Sequence, residues 1–223
     1  MRFSEDIQDR ISGKHLENLR MINFKNKKIL DIGCGAGIFE QYVGSKAKRI
    51  IAIDVNKKDL ETAKKNVKNR NVYFKELGIS GIKNLGKEKF EVVCMLDVIE
   101  HLPKKSEIKA LENIHYVLKK NGRLLISTPK KNASVFLDPA WYFGHRHYNR
   151  KQLENFLGKS SFEIEKIYSG GGIFEILSMF LFYFYKWMFS SEIPFKKWFD
   201  KRRNKEYGHQ KGIVHWFAIA RKI

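Results

Sequence analysis

The sequence predicts an α/β fold, a Rossmann-like and mostly parallel sheet with helices on both faces. Three observations carry this. First, the short apolar run Ile29-Leu30-Asp31-Ile32 breaks into glycines at Gly33, Gly35 and Gly37, and a helical pattern opens at Ile38. Strand, glycine turn and helix in that order form a ligand-binding βα unit. Second, apolar runs of strand length alternate with longer amphipathic segments from residue 49 to 128, as in successive βαβ units. Third, 223 residues with 43% hydrophobic and 13% aromatic content suit one domain with a full core.

Taken in order, residues 4–22 set Ile7, Ile11, Leu16, Leu19 and Ile22 among charges and predict an amphipathic helix flanking the cleft. Strands are predicted at Lys28–Ile32, Arg49–Asp54, Asn71–Lys75, Phe90–Leu96, Gly122–Thr128, Ser161–Tyr168 and Ile213–Arg221. These are short runs of β-branched and aromatic residues bounded by turn formers. Helices are predicted at Ile38–Ser45, Lys57–Lys68, Ser106–Lys119 and Arg150–Leu157, with Asn56, Ser106 and Asn149 as caps. Glu76–Lys89 contains glycine and is weakly patterned, and Asn121-Gly122 turns the chain into the fifth strand.

Gly33-Cys34-Gly35-Ala36-Gly37 is GxGxG, not the GxGxxG of dinucleotide enzymes. Asp31 precedes the first glycine by two residues, so a pyrophosphate is a poor neighbour and a cation a good one. Asp54 ends the second strand, where a carboxylate can accept both hydrogen bonds of a ribose diol, with Val55 and Asn56 on the adenine side. The run from Asp31 to Gly37 resembles motif I of the class I S-adenosylmethionine-dependent methyltransferases. Asp97-Val98-Ile99-Glu100-His101-Leu102-Pro103 is similar to the motif IV region of the branch containing the ubiquinone-pathway O-methyltransferases. The resemblance covers about residues 25–168. It implies a seven-stranded sheet whose antiparallel last strand inserts beside the sixth, and S-adenosylmethionine as cofactor. It further implies that Gly33, Cys34, Gly35 and Gly37 face the methionine part, with Asp31 near its amino group. Leu96 and Asp97 then touch the cofactor from a strand end, Glu76 reaches the adenine amino group, and Glu100-His101 faces the acceptor.

Methyl transfer to a hydroxyl needs in-line placement and a proton acceptor. His145, His101 and His147 lie in acceptor-side segments and are the candidate bases, with His145 first; each also reads as a loop-holding histidine. Asp97, Glu100 and His101 with a later histidine form an alternative set for Mg²⁺. The metal-assisted members of the resembling family carry glutamate where this chain has Asp97.

Residues 170–208 form an insertion within the single domain: three glycines, the aromatic helical run Ile173–Phe189, then Lys196, Lys197, Lys201, Arg202, Arg203 and Lys205. The run is short for a membrane span and contains Glu175 and Lys186. It reads either as an interfacial helix on an anionic membrane, through residues 173–205, or as a lid or dimer helix. The net charge of +19 predicts attraction to polyanions, whether nucleic acid, anionic lipid or a phosphorylated substrate; scattered lysine also reads as a solvated surface. Cys34 and Cys94 have no CxxC partner, which leaves no zinc or disulfide framework and suits a reducing cytoplasm. Met1–Asp6 has no apolar leader character. The expected function is methyl transfer to a hydroxyl of a small or lipid-like acceptor. The charge suggests an RNA methyltransferase as the alternative, although the fourth strand ends Leu96-Asp97-Val98-Ile99 with no Asn-Pro-Pro-Tyr-type signature. A non-catalytic membrane or partner adaptor is the second alternative.

Overall fold

The computed structural model describes residues 13–131, 144–189, 196–207 and 211–223. Its strands are β1 (Lys28–Ile32), β2 (Arg49–Asp54), β3 (Val72–Glu76), β4 (Phe90–Leu96), β5 (Leu118–Pro129), β6 (Phe162–Gly170) and β7 (His215–Lys222). They form one sheet in the order β3-β2-β1-β4-β5-β7-β6. The pairs β1/β2, β1/β4, β2/β3 and β4/β5 are parallel, while β7 runs antiparallel to both β5 and β6. The seven-stranded, mostly parallel sheet with an antiparallel last strand is thus as expected.

The helices are α1 (Gly13–Arg20), α2 (Ile38–Val43), α3 (Lys57–Asn66), α4 (Glu107–Val117), α5 (Arg150–Lys159), α6 (Ile173–Phe189) and α7 (Lys196–Tyr207). Both sheet faces are buried because the strands supply apolar residues at successive positions. On one face Ile29, Val92, Cys94 and Leu125 pack with Leu16 and Leu19 of α1 and Phe39 and Val43 of α2. On the other, Leu30, Val93, Met95 and Leu124 pack with Leu111 and Ile114 of α4 and Leu153 and Leu157 of α5. Asp31 alternates onto the α1–α2 side, and this brings it to α2.

Local chemistry sets several boundaries. Asn56 Oδ1 accepts from the Lys58 amide at 3.0 Å, and Asn149 forms a capping box with Gln152. Ser106 stands at the start of α4 but its hydroxyl donates to the Pro103 carbonyl at 2.7 Å, so it does not cap as expected. The fifth strand starts four residues early, since Leu118 already pairs with Phe90 before a bulge in which Asn121 takes φ 60°. The weakly patterned segment after β3 winds into a 3₁₀ turn, Ile79–Leu85, pinned by buried Ile82. Of the helix expected over residues 4–22, residues 4–12 lie outside the described set and 13–20 are helical.

The insertion is tied down by charge. Arg203 of α7 makes a bidentate pair with Glu175 of α6, at 2.8 and 3.0 Å. Glu206 accepts from the amides of Gly172, Phe174 and Glu175, which caps the start of α6 from a neighbouring helix. Tyr207 is fully buried against Phe217 of β7, and Asn204 accepts the Gly13 amide of α1 at 2.5 Å. The insertion therefore packs on the helix that walls the cleft.

Candidate active site

The glycine turn sits at the carboxyl ends of β1 and β2. The amides of Gly33 and Cys34 both donate to the Ile53 carbonyl, at 2.8 and 3.1 Å, which stitches the turn to the end of β2. Gly33 has φ 75°, and a Cβ there would lie 2.4 Å from Val98 Cγ2. Gly35 has φ 51° with nothing near its missing Cβ, so that side of the turn is open to a ligand.

Two cavities meet at Gly33. The first, about 210 Å³, is lined by Asp31, Cys34, Gly35, Ala36, Leu96 and Asp97, with His15, Asn18 and Leu19 of α1 as its wall. Among the described residues no lysine or arginine lines it. Asp31 is 2% exposed, and its Oδ1 has no donor from the described residues. Burial, with the nearby charges of Glu40 and Asp54, pushes the Asp31 carboxyl well above the usual carboxylate range. A buried acceptor without a donor is costly, and an ammonium ligand supplies what is missing.

The second cavity, about 440 Å³, is lined by Asp54, Val55, Leu77, Gly78, Ile79, Val98, His101 and Leu102, among others. It falls within the range of small-molecule sites, about 300–1,000 Å³. Asp54 accepts from the Gly35 amide through Oδ2 and from the Asn56 amide through Oδ1, each at 2.9 Å. Each oxygen keeps a second lone pair for a diol. Glu76 is the register partner of Asp54 but lines neither cavity; it is exposed and ion-paired to Lys57 at 3.5 Å. Leu77 and Gly78, the residues after Glu76, line the second cavity instead.

Of the three candidate histidines, two are brought together: the His101 and His145 rings meet edge to face, 4.2 Å apart. Burial and the adjacent His145 charge hold His101 below its ordinary value, so it is neutral near pH 7. His147 is half-buried and lines neither cavity. Arg146 positions this stretch by donating to the Ile99 carbonyl at 3.1 Å and the Glu100 carbonyl at 3.3 Å, and by pairing with Glu107. Tyr148 adds a bond to the Ile99 carbonyl at 3.1 Å. Residues 138–143 of the aromatic stretch lie outside the described set.

The alternative metal set does not assemble. Asp97, at φ 56°, is paired with Lys14 of α1 at 2.5 Å and accepts from Ser127 Oγ at 3.1 Å. Glu100 is buried and takes the Thr128 hydroxyl at 2.9 Å. No cluster of three or more metal-ligating side chains exists among the described residues. Burial alone would raise Asp97, but the Lys14 and His215 charges outweigh it and hold the carboxyl well below its usual range. Burial and the Asp97 charge push Glu100 up to about 8. Sequence reasoning missed Lys14 and His15 of α1, His215 of β7 and Tyr207 of α7. His215 Nε2 lies 3.8 Å from Asp97, and its Nδ1 lies 3.4 Å from the Tyr207 hydroxyl.

A family model described as a methyltransferase domain matches residues 3–167. This chain belongs to the methyltransferase domain family. About half of it is similar to proteins named ubiquinone biosynthesis O-methyltransferase. The Pseudomonas fluorescens Pf0-1 protein of that name is 26% identical over 118 residues, 52% of this chain and 50% of the relative. The Pelagibacter ubique HTCC1062 protein is 30% identical over 114 residues, 51% and 46% of the two chains. The methyltransferase domain thus spans about half the length of these curated relatives. Solved structures share its fold. An S-adenosylmethionine-dependent methyltransferase from Mesorhizobium loti superposes at TM-score 0.65 and 14% identity, over 93% of this chain and 96% of that one. N-methyltransferase NodS from Bradyrhizobium japonicum WM9, in complex with S-adenosyl-L-homocysteine, superposes at 0.64 and 16%, over 94% and 85%.

Proposed function

We propose that this methyltransferase domain transfers a methyl group from S-adenosylmethionine to a hydroxyl of a small, lipid-like acceptor. The observation that carries the reading is the acid-walled first cavity over the glycine turn, where, among the described residues, none donates to buried Asp31 Oδ1 and no lysine or arginine competes. The cofactor's chemistry is an electrophilic sulfonium methyl. Asp31 holds the ammonium, the Gly33–Gly37 backbone and Cys34 face the methionine part, and Asp54 takes the ribose diol. Val55 and Leu77 cover the adenine, and Leu96 and Asp97 border the sulfur side. His145, braced by His101 and set in place by Arg146, accepts the hydroxyl proton. O-methylation is favoured by the relatedness to proteins named ubiquinone biosynthesis O-methyltransferases.

The lipid-like acceptor and a peripheral membrane location in the cytoplasm rest on α6. Ile173, Leu177, Phe180, Phe184 and Met188 are exposed at helical spacing, a single apolar stripe beside exposed Trp198, Lys201, Arg202 and Lys205 of α7. Such a face suits an anionic bilayer surface. Among the described residues no helix is long and apolar enough to cross a membrane.

Titration calorimetry with S-adenosylhomocysteine tests the cofactor reading. Wild type takes up the compound and Asp31→Ala loses most of the affinity; no heat with wild type refutes the reading. The charge of +19 favours RNA as the rival acceptor. RNA retention that falls steeply with log salt while liposomes are ignored would replace lipid with nucleic acid.

A further inference from the structure

Behind Asp31 lies an acid that the proposed chemistry does not use. Glu40 of α2 is 0% exposed, and neither of its carboxyl oxygens has a donor from the described residues. Its carboxyl faces that of Asp31, near enough for each charge to act on the other. Two carboxyls can share a hydrogen bond only if one of them carries a proton. The groups facing the pair do not neutralise it. Asp54 comes from β2, Cys34 from the turn and Cys94 from β4, and burial keeps both thiols protonated. His15 of α1 lines the same cavity, and burial holds it low and neutral. Lys14, next along α1, is engaged by Asp97.

We propose that Glu40 is a positioning residue for the cofactor: the Asp31–Glu40 pair holds one proton in the ligand-free protein and exchanges it for the ammonium of an amino-acid-bearing ligand. The inference rests on the cofactor reading above. The exchange balances. The empty pair carries one proton and one negative charge. Entry of an ammonium brings one positive charge and three N–H donors, the shared proton leaves to solvent, and the doubly ionised pair faces the cation. Burial supports this, pushing Glu40 up to about 7, so the empty site holds the proton below that pH and sheds it above. Affinity for the ligand then rises with pH until the free pair is fully ionised.

The test is calorimetry of the full chain with S-adenosylhomocysteine at about pH 6.5, in buffers of different ionisation enthalpy. The ligand's own ammonium keeps its proton there. The expected slope corresponds to release of about half to one proton per site, and the dissociation constant falls up to about tenfold per pH unit between about pH 5.5 and 7. Glu40→Gln places an amide donor against Asp31, and its slope drops towards zero while binding persists. A second readout needs no ligand: the wild-type melting temperature falls as pH rises from about 6 to 8, and Glu40→Gln flattens that fall. Binding heat that is independent of buffer overturns the exchange and leaves the cofactor reading standing. A slope unchanged in Glu40→Gln also overturns it, because the proton then comes from elsewhere. Absence of binding heat in wild type overturns both.

Discussion

The Lys14–Asp97 pair predicts a measurable coupling between the first described helix and the end of β4. Lys14 Nζ lies 2.5 Å from Asp97 Oδ2, with the side chains 30% and 19% exposed. Breaking a buried pair by removing one partner costs about 3–5 kcal/mol, and partial exposure reduces this to about 2 kcal/mol here. In a chain of 223 residues, that is a melting-temperature loss of about 4–8 °C. Asp97→Asn, Lys14→Met and the double variant, followed by thermal unfolding, close a double-mutant cycle. The double variant is expected to lose less than the sum of the singles, by at least about 1 kcal/mol. The pH behaviour follows from the direction of the shifts. Asp97 is held below its ordinary 3.8, so its contribution is present above that value and lost only as pH falls further. For Lys14 burial pulls downward but Asp97 outweighs it, so it stands above 10.5 and its contribution is lost only above that. Neither partner itself therefore titrates between pH 6 and pH 8. Additive singles would show that the pair is surface decoration and that α1 is held by its other contacts.

Gly33→Ala meets Val98 and a positive φ together, so it loses at least about 2 kcal/mol of stability and all measurable uptake of S-adenosylhomocysteine; wild-type uptake would mean the turn does not frame the cofactor. Glu40 and Glu100 hold protons in the folded state that unfolded carboxyls release near pH 4.5. Folding is therefore favoured at low pH through these groups and weakens as pH climbs through about 7 and 8, by roughly 3 kcal/mol from Glu40. Ligand-free melting temperatures that rise from pH 6 to 8.5 contradict this. His145→Asn lowers kcat by about 10²–10⁴-fold with little change in cofactor affinity, read in a methyl-transfer assay; an unchanged rate moves the base elsewhere, with His15 next in line. Phe180→Glu with Phe184→Glu abolishes flotation with anionic liposomes and spares S-adenosylhomocysteine binding; undiminished flotation removes α6 from the membrane face.

What the sequence made legible was local. The glycine turn, the acids at the ends of β1 and β2 and the run from Asp97 to Pro103 each answer a short-range backbone demand, so their spacing survives in one dimension. The alternation of strand and helix announced the parallel sheet, and the antiparallel last strand beside the sixth was what the family resemblance implied. What stayed hidden was assembled across long separations. His215 stands in register with Pro129 on one side and Gly170 on the other, so the sheet carries it to the carboxyl edge, although nothing around it in the sequence marks a site. Lys14 reads as one more charge on an amphipathic helix until it is found against Asp97, where it fills the place the metal reading gave to a divalent ion. Nothing in the sequence singles out Glu40. Its burial depends on α2 packing over Asp31, which no helical periodicity in six residues can announce.

A net charge of +19 opposes the approach of a cationic cofactor at long range. Distance resolves this. A unit charge about 4 Å away in a partly dry cleft is worth about 4 kcal/mol at an effective dielectric of 20. Exposed charges beyond about 8–10 Å are largely screened at physiological salt. Asp31 is buried at the first cavity, with Glu40 buried behind it and Asp54 near enough for its charge to act on Asp31. The exposed lysines and arginines of α3 and α7 line neither cavity, and Lys14 is spent on Asp97. The acids therefore set the potential felt inside the cleft, and the basic surface sets what is drawn to its mouth. One molecule can then hold a cation in its core and still gather anionic partners around it.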